Sequence, residues 1–458
     1  MSSPNQPSAD NPINRREFLG SSAANAAGMA AGMVSLAGAI GLAQDSPAER
    51  VRVAIVGVRN QGKTLVGQLA AMADVDIAAI CDVDENQFAP VMKLLDDAQR
   101  RPPRIERDFR RLLEDPSLDA LVIATPDHHH AAMTTLACEA GKDVYIETPA
   151  SHTLAEGAAM LNAALRHGRV VQTGLVQRSG LHFRSAVEFV RSGKLGLVPL
   201  AKAWTVHQRK SIGRKTDSPA PPAVDYAAWL GAAPPREFDS NRFHHNWQWF
   251  WDYGSGELGH WGVHLLDVAR WGLGVAWPET VTASGGKLHF DDDQETPDTM
   301  FAQFQFASRK GEAPAEPSRL AVSGSGGTAR REPRPPETRS GNPNVITWEH
   351  RQWSLHGQEG RSAAVAFCGE RGTLIVDRGG WKVYGLKDDQ IQLASGSSPL
   401  LDPHLRNFID CVKSRSTPAA DLETGLTSSG LCHLGNLAYQ QGRRITVEQE
   451  LTAMSIEA

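Results

Sequence analysis

The chain has few cysteines and no excess of positive charge. Its five cysteines are spread over 458 residues without the spacing of a zinc or redox motif, so we expect them to be small core residues. The net charge of −5 gives no electrostatic reason to expect nucleic-acid binding. The sequence also has no internal repeat. With 41% hydrophobic and 22% charged residues, the composition is that of a soluble globular protein, and the length predicts two domains.

The first 45 residues contain few large apolar side chains, which makes this segment a poor membrane anchor. Asn14–Leu19 reads NRREFL and matches the twin-arginine export pattern, and an alanine- and glycine-rich stretch follows, with a candidate cleavage site at Gly41-Leu42-Ala43. We therefore expect residues 1–45 to be a twin-arginine signal peptide, and the protein to be periplasmic or secreted without a stable membrane anchor. The alternative is a disordered N-terminal arm.

A strand, turn, helix, strand pattern follows the N-terminal segment. The apolar run Val51–Val56 predicts a buried parallel strand, Gly57 opens a tight turn, Gly62 follows five residues later, and a second apolar strand ends at Asp82. In such a unit the turn amides and the helix N-terminus hold a pyrophosphate, and the acid binds a ribose 2′-hydroxyl. The pattern predicts NAD as the cofactor, and preference over NADP because a carboxylate repels a 2′-phosphate. The alternative is an ordinary strand–helix–strand crossover with a solvated aspartate.

The glycine pattern is incomplete. Arg59 occupies the position of the middle glycine, which normally lets the backbone approach the pyrophosphate. Its guanidinium group could pair with a phosphate, or its side chain could block a close approach.

Strands and helices alternate as far as residue 173, which predicts a doubly wound parallel sheet in an NAD-binding Rossmann domain at residues 49–173. Residues 174–458 contain longer strands separated by few helices, and two helices near the C-terminus. They predict a second α+β domain with a large, mostly antiparallel open sheet. Residues 308–343 are rich in Pro, Gly, Ser, Arg and Glu, and we expect them to be a disordered insertion.

Several longer motifs resemble those of the Gfo/Idh/MocA family of NAD(P)-dependent oxidoreductases. The resemblance covers nearly everything after residue 50. The motifs are AIVGVRNQG from Ala54, CDVD ending at Asp84, ATPDHHH from Ala124, YIETP from Tyr145, GLVQRS from Gly174, GELGHWGVHLLDVARWGLG from Gly256, and near the end DPHLRNFIDCVKSR and LCHLGNLAYQ. The resemblance implies that the second domain binds a sugar or polyol and forms the interface of a homo-oligomer, a dimer or tetramer.

The sequence departs from the family in two places that concern proton transfer. The family usually has Glu-Lys-Pro, whose lysine takes part in proton transfer, whereas this chain has Glu147-Thr148-Pro149. Threonine cannot supply an ammonium group or act as an efficient base. His260 lies four residues before His264, where the family often has Asp or Asn. Because histidine titrates near neutrality, we expect His264 to be the base, with His260 next.

The remaining site predictions follow from strand ends and from the resemblance. The candidate catalytic residues are His264, His260, Glu147 and Tyr253, with Glu147 better suited to a cofactor or structural role than to general acid catalysis. The expected cofactor contacts are Gly57, Arg59, Asn60, Gln61, Gly62, Asp82, Thr125, Pro126, His128, Glu147, Thr148 and Gln177.

Three alternatives remain open for these residues. His260 and His264 could share a metal or be structural, although no metal is predicted. Consecutive histidines at 128–130 point in different directions on a helix, which disfavours joint chelation. The aromatic run from Trp247 to Tyr253 could stack on a sugar or pack in the core.

The sequence supports three functions. The first is an NAD-dependent oxidoreductase acting on a sugar, cyclitol or sugar derivative at a ring hydroxyl. The second is an NAD-dependent glycoside hydrolase or lyase, similar to the α-N-acetylgalactosaminidase group, in which transient oxidation leaves no net redox change and the motif lysine is also absent. The third is a catalytically silent sugar-binding homologue.

Overall fold

The computed structural model describes residues 50–98, 100–307, 343–385 and 394–457. The predicted signal peptide and nearly all of the predicted insertion therefore lie outside the described residues. Among the residues that are described, no helix is both long enough and apolar enough to cross a membrane.

The N-terminal half forms a six-stranded sheet in the order β3-β2-β1-β4-β5-β6, and every neighbouring pair is parallel. The strands are β1 (Val51–Val56), β2 (Val75–Cys81), β3 (Arg104–Glu106), β4 (Ala120–Ile123), β5 (Asp143–Ile146) and β6 (Val171–Thr173). The strand order reverses between β1 and β4, and ligands bind at such a switch point outside the carboxyl ends of the strands.

Helices cover both faces of this sheet because successive strand residues point to opposite sides. The helices of this half are α1 (Asn60–Ala70), α2 (Phe88–Asp97), α3 (Arg110–Leu113), α4 (Asp127–Glu139) and α5 (Leu154–Arg166). Val53 and Ile55 face the core formed with α1 and α2, whereas Ala54 and Val56 face the core formed with α4 and α5.

The C-terminal half forms a nine-stranded sheet in the order β14-β13-β12-β11-β7-β10-β9-β8-β15. Within the described strands of this second sheet only the β7–β10 pair is parallel, so the predicted mostly antiparallel sheet is confirmed. The strands are β7 (Leu200–Val206), β8 (Thr280–Gly286), β9 (Thr299–Gln305), β10 (Val345–Arg351), β11 (Ala363–Cys368), β12 (Thr373–Asp377), β13 (Gly380–Tyr384), β14 (Ala394–Gly396) and β15 (Ile445–Thr446).

The described part of the second half contains six α-helices. They are α6 (Leu181–Arg191), α7 (Tyr226–Leu230), α8 (Val263–Leu273), α9 (Leu401–Ser414), α10 (Leu422–Gln441) and α11 (Val447–Glu457). Helices α6 and α8 contribute most of the helical core of the nine-stranded sheet. Helix α6 was not predicted, although its apolar residues recur at helical spacing.

Helices α9 and α10 also reach the first sheet. Leu405, Phe408 and Ile409 of α9 are buried in the core beside β1, although chain order assigns α9 to the second domain. Helix α10 joins both cores, because Leu426 packs on the parallel sheet and Leu434 on the nine-stranded sheet. Apolar faces far apart in sequence thus cover the parallel sheet.

Candidate functional site

A cavity of about 1190 Å³ opens at the carboxyl ends of the parallel strands, beside the switch point between β1 and β4. It extends to residues of the second half, including the π-helical turn Leu258–Gly262 that precedes α8. The cavity wall includes most of the predicted site residues, namely Gly57, Arg59, Asn60, Gln61, Asp82, Thr125, Pro126, His128, Glu147, Thr148, His260 and His264. Gly62, Gln177 and Tyr253 do not line it.

Two glycines shape the turn after β1. Gly57 has φ of +79°, and a Cβ atom there would lie 2.7 Å from the carbonyl oxygen of Ala124. A Cβ atom on Gly62 would lie 1.8 Å from the carbonyl oxygen of Gly57. Gly62 therefore lies behind the turn, where its missing side chain lets α1 pack against β1.

The N-terminus of α1 fits the pyrophosphate of a dinucleotide. No side chain caps it, and no acidic residue lies in its first turn. Arg59, Asn60 and Gln61 line the cavity at this point. No described carboxylate pairs with Arg59, so its charge and the free amides of the helix together favour an anion.

Asp82 lies at the end of β2 and is held by backbone donors. The N–H of Val58 donates to Oδ2 over 2.9 Å, and the N–H of Asp84 donates to Oδ1 over 3.0 Å. Burial raises the pKa of the Asp82 carboxyl, and the hydrogen bonds from Asp84 and Val58 oppose that rise. Asp82 is therefore fixed beside the glycine turn, as a ribose-binding acid must be.

A connection from the second half, residues 220–245, closes the same end of the cavity. The N–H of Glu85 donates to the carbonyl of Ala223 over 3.0 Å, and the N–H of Asp225 donates to the carbonyl of Val83 over 2.9 Å. Nε2 of His244 lies 3.0 Å from Oδ2 of the buried Asp84. Sequence reasoning missed this contact, because nothing local in a loop indicates that it crosses to another sheet.

Glu147 connects the end of β5 to α1. Its Oε1 accepts a 2.9 Å hydrogen bond from the amide of Gln61, and its carboxylate also accepts longer hydrogen bonds from the Tyr145 hydroxyl and the Thr148 N–H. Burial raises the pKa of the Glu147 carboxyl, whereas these hydrogen bonds lower it. Glu147 therefore supports the cofactor end of the site.

His264 faces Thr148 across the cavity. Oγ1 of Thr148 lies 3.4 Å from Nε2 of His264, and Nδ1 of His264 is buried without a described hydrogen-bond partner. Desolvation, followed by the positive charge of Arg378, lowers the pKa of His264 to about 3. The ring is therefore neutral at pH 7 and has a free lone pair, and the low pKa makes it a weak base in the unliganded site.

His260 lines the same part of the cavity, one turn earlier. Desolvation lowers its pKa to about 4, although the neighbouring carboxylate of Glu257 opposes this shift. Glu257 is itself buried and accepts hydrogen bonds from His207 over 3.0 Å and from Arg209 over 2.8 Å. Burial raises the pKa of Glu257, but these two partners outweigh it and lower the pKa to about 2.

The three consecutive histidines at 128–130 do not all point in the same direction, as their helical spacing predicts. Nε2 of His128 and Nε2 of His129 lie 3.0 and 2.7 Å from the carbonyl oxygen of Trp229. His130 points elsewhere, with Nδ1 lying 2.7 Å from the carbonyl oxygen of Pro149. Within the described part of the chain, no group of three or more His, Cys, Asp or Glu side chains is arranged to hold a metal ion.

Most side chains of the aromatic run from Trp247 to Tyr253 pack in a hydrophobic core. Trp249, Phe250 and Tyr253 are buried in one cluster with Trp229 and neighbouring rings. Tyr253 is fully buried, and this burial raises its pKa to about 12. Tyr253 does not line the cavity, so the structure does not bring this candidate catalytic residue together with His260 and His264. Trp247 does line the cavity.

Gln177 lies outside the cavity wall, although it was predicted to contact the cofactor. Its side chain is 1% exposed, and neither amide atom has a described hydrogen-bond partner. The adjacent Arg178 makes a buried ion pair with both oxygens of Asp267 at 2.9 Å. This segment therefore anchors α8 behind the site.

Sequence reasoning missed two further cavity residues, Trp261 and Arg378. Trp261 lies in the π-helical turn, and Arg378 follows β12. The guanidinium carbon of Arg378 lies 4.7 Å from the centroid of the Trp261 ring. Only the register of β12 and the π-helical turn bring these side chains together.

Residues 51–175 match the model of the Gfo/Idh/MocA oxidoreductase family, NAD-binding Rossmann fold, and residues 203–301 match that of the family's C-terminal alpha/beta domain. The chain belongs to the Gfo/Idh/MocA oxidoreductase family. The predicted family, fold class and NAD cofactor are thus confirmed.

Individual relatives match more weakly. The uncharacterized oxidoreductase YrbE of Bacillus subtilis (strain 168) is 31% identical over 183 residues, which are 40% of this chain and 49% of that protein. A glycosyl hydrolase family 109 protein of Stenotrophomonas maltophilia (strain K279a) is 28% identical over 223 residues, 46% of each chain. The chain spans about half the length of the curated relatives it matches.

The fold is also that of solved structures. The aldose-aldose oxidoreductase from Caulobacter crescentus, solved in complex with glycerol, superposes with a TM-score of 0.62 at 17% identity. The match covers 87% of this chain and 100% of that chain. At this identity the similarity shows a shared fold.

Proposed function

We propose that the protein is an NAD-dependent oxidoreductase acting at a ring hydroxyl of a sugar, cyclitol or sugar derivative. The observation that carries this proposal is a single cavity that joins the uncapped α1 N-terminus and Asp82 to His260 and His264. One end has the anion-binding amides and the ribose-binding acid of a dinucleotide site. The other end holds two neutral imidazoles and aromatic rings, which suit a small polar ring.

The residues divide into cofactor-binding and proton-transferring groups. Gly57, Arg59 and Asp82 hold the dinucleotide, and NAD supplies the hydride acceptor when it is bound. His264 takes the hydroxyl proton at Nε2, because its ring is neutral at pH 7. Residue 148, where the family usually has the lysine that takes part in proton transfer, is a threonine. Trp247 and Trp261 line the cavity and present apolar faces to a sugar ring.

A reaction assay tests this proposal. The full chain, loaded with NAD, is incubated with a panel of free sugars, cyclitols and glycosides, while NADH absorbance and sugar products are followed together. Accumulation of NADH with an oxidised sugar supports the proposal. Binding of sugars without any chemical change would instead identify a silent sugar-binding protein.

A second candidate function is glycoside cleavage by transient oxidation with no net redox change. Two observations favour it, namely the similarity to a family 109 glycosyl hydrolase and threonine in place of the motif lysine. The enclosure of Asp84 by residues 220–245 also favours a cofactor that is retained through many turnovers. In the same assay, sugar release without NADH accumulation would select this function over net oxidation.

Export and assembly complete the proposal. The NRREFL motif supports transport through the twin-arginine route, and replacing Arg15 and Arg16 with lysine should retain the protein in the cytoplasm. Normal periplasmic accumulation of that variant would refute this route.

We also propose a homo-oligomer, since Phe301 and Tyr384 of the nine-stranded sheet are 47% and 43% exposed. Light scattering by the purified protein measures the mass directly.

A further inference from the structure

Arg378 is an arginine of the cavity wall without an acidic partner. It follows β12 directly, and its guanidinium group lies over the ring of Trp261. The adjacent Asp377 is engaged elsewhere, because it pairs with Arg361 and accepts the N–H of Gly379. Among the described residues, no carboxylate lies within ion-pair distance of Arg378.

Three other arginines in or near the site differ from Arg378 in this respect, and Arg107 and Arg110 at the far wall are paired with Glu85 and Asp108. Arg209 is paired with the buried Glu257, and Arg178 with the buried Asp267. Arg59 lacks a described acid but lies at the N-terminus of α1, where a pyrophosphate accounts for its charge. Arg378 alone among these four places an unbalanced charge beside His264.

Arg378 lies close enough to His264 for its positive charge to act on the imidazole. Both residues line the cavity, and the charge of Arg378 is the second cause, after desolvation, that lowers the pKa of His264. Partial burial lowers the pKa of Arg378 itself, so the protein does not fully compensate its charge. A bound anion would supply the missing compensation and would also make His264 a stronger base.

We propose that Arg378 binds an anionic substituent of the carbohydrate substrate: a carboxylate, sulfate or phosphate group on the ring. The planar guanidinium fork matches the paired oxygens of all three groups, whereas a neutral sugar would leave the charge unpaired. The ring of Trp261 lies beside the guanidinium group, with its centroid 4.7 Å from the guanidinium carbon. The proposal rests on the proposed carbohydrate function and narrows its substrate class.

Calorimetry on the NAD-loaded full chain tests the proposal. The sugar probes are galactose, galacturonate, galactose 6-sulfate and galactose 6-phosphate, together with the matching glucose series. Inorganic sulfate is added as an anion that has no sugar ring. We expect at least one anionic sugar to bind about tenfold or more tightly than its neutral parent, as charge-assisted bidentate recognition allows. The charged series then shows whether a carboxylate, a sulfate or a phosphate is preferred.

Variants of Arg378 separate recognition from general charge. Arg378→Gln should abolish the preference for charged probes and weaken sulfate binding about tenfold, and Arg378→Lys should retain part of both. Lys202→Gln removes a charge from an exposed position on β7 outside the cavity and should change neither. Equal binding of charged and neutral probes by the wild type, or an unchanged preference in Arg378→Gln, overturns the proposal.

The two proposals fail in different ways. If neutral sugars react with NAD and charged sugars have no advantage, the anionic subsite is wrong and the carbohydrate function stands. If charged probes bind through Arg378 but no sugar in the panel reacts, the subsite stands and the enzymatic function fails.

Discussion

Oγ1 of Thr148 lies 3.4 Å from Nε2 of His264, at the position where the family usually carries a lysine. The hydroxyl cannot replace that lysine as a base, but it faces the nitrogen that can accept a proton. The structure thus places a neutral imidazole from α8 beside the residue that follows β5 in this position.

His264→Ala should lower turnover by about 10²–10⁴-fold, which is the usual contribution of a positioned general base. NAD affinity, measured by fluorescence titration, should stay within about twofold, because the pyrophosphate and ribose groups lie at the other end of the cavity. His260→Ala should have a smaller effect. The exposed His167→Ala is the control. If His264→Ala retains more than about a tenth of the activity, another group is the base.

Asp82 should make the protein prefer NAD over NADP. Its carboxylate is held at the ribose position by the N–H groups of Val58 and Asp84, so a 2′-phosphate would meet a negative charge at a cost of about 1–3 kcal/mol. Asp82→Asn should narrow the preference, measured by calorimetry with both nucleotides. Asp96→Asn, an exposed charge-matched control on α2, should leave it unchanged. Equal affinity of the wild type for both nucleotides would contradict this reading.

Gly62→Ala should destabilise the fold and weaken NAD binding, because the new Cβ atom would lie 1.8 Å from the carbonyl oxygen of Gly57. The backbone must move, which costs about 1–3 kcal/mol. Gly67→Ala, on the same helix, meets only a Leu94 methyl group at 3.6 Å. It should be neutral or stabilising by up to about 1 kcal/mol. Denaturant unfolding of both variants measures the difference, and equal stabilities would refute the packing role of Gly62.

Acid should destabilise the protein through buried histidines. His404 is fully buried, and its Nε2 donates to the carbonyl of Thr173 while its Nδ1 accepts from the hydroxyl of Ser179. Burial lowers its pKa to about 4. The unfolded chain binds a proton near pH 6.5 and the folded chain does not, so the free energy of unfolding falls as the pH decreases from about 6.5 towards 4.

His404 alone should account for about 2 kcal/mol of that loss between pH 7 and pH 5. In His404→Gln, whose amide can make the same two hydrogen bonds, this part of the pH dependence should disappear. His167→Gln changes an exposed ring and should leave it intact. Identical pH profiles for the wild type and His404→Gln, from urea unfolding at each pH, would rule out this contribution.

The local pattern of the sequence was enough to predict the residues at the cofactor end of the site. Val51–Val56 forms the predicted strand, and Gly57 and Asp82 lie at its turn and at the tip of the next strand. Such features are predictable because a buried strand, a positive φ angle and a helix N-terminus depend on residues within a few positions of one another. Helix α1 begins at Asn60, within three residues of that turn glycine.

Tertiary structure decided which side chains line the substrate end of the cavity. Tyr253 and Trp261 are both aromatic and lie eight positions apart, yet one is sealed in a core and the other lines the cavity. Arg378 follows a strand that lies more than a hundred residues after His264, and His244 reaches Asp84 through a long connection. Composition and periodicity determine which segments become strands and helices, because those depend on local sterics and burial. Which distant side chains share one cavity depends on sheet register and on how the connections cross between sheets, and no local pattern encodes either.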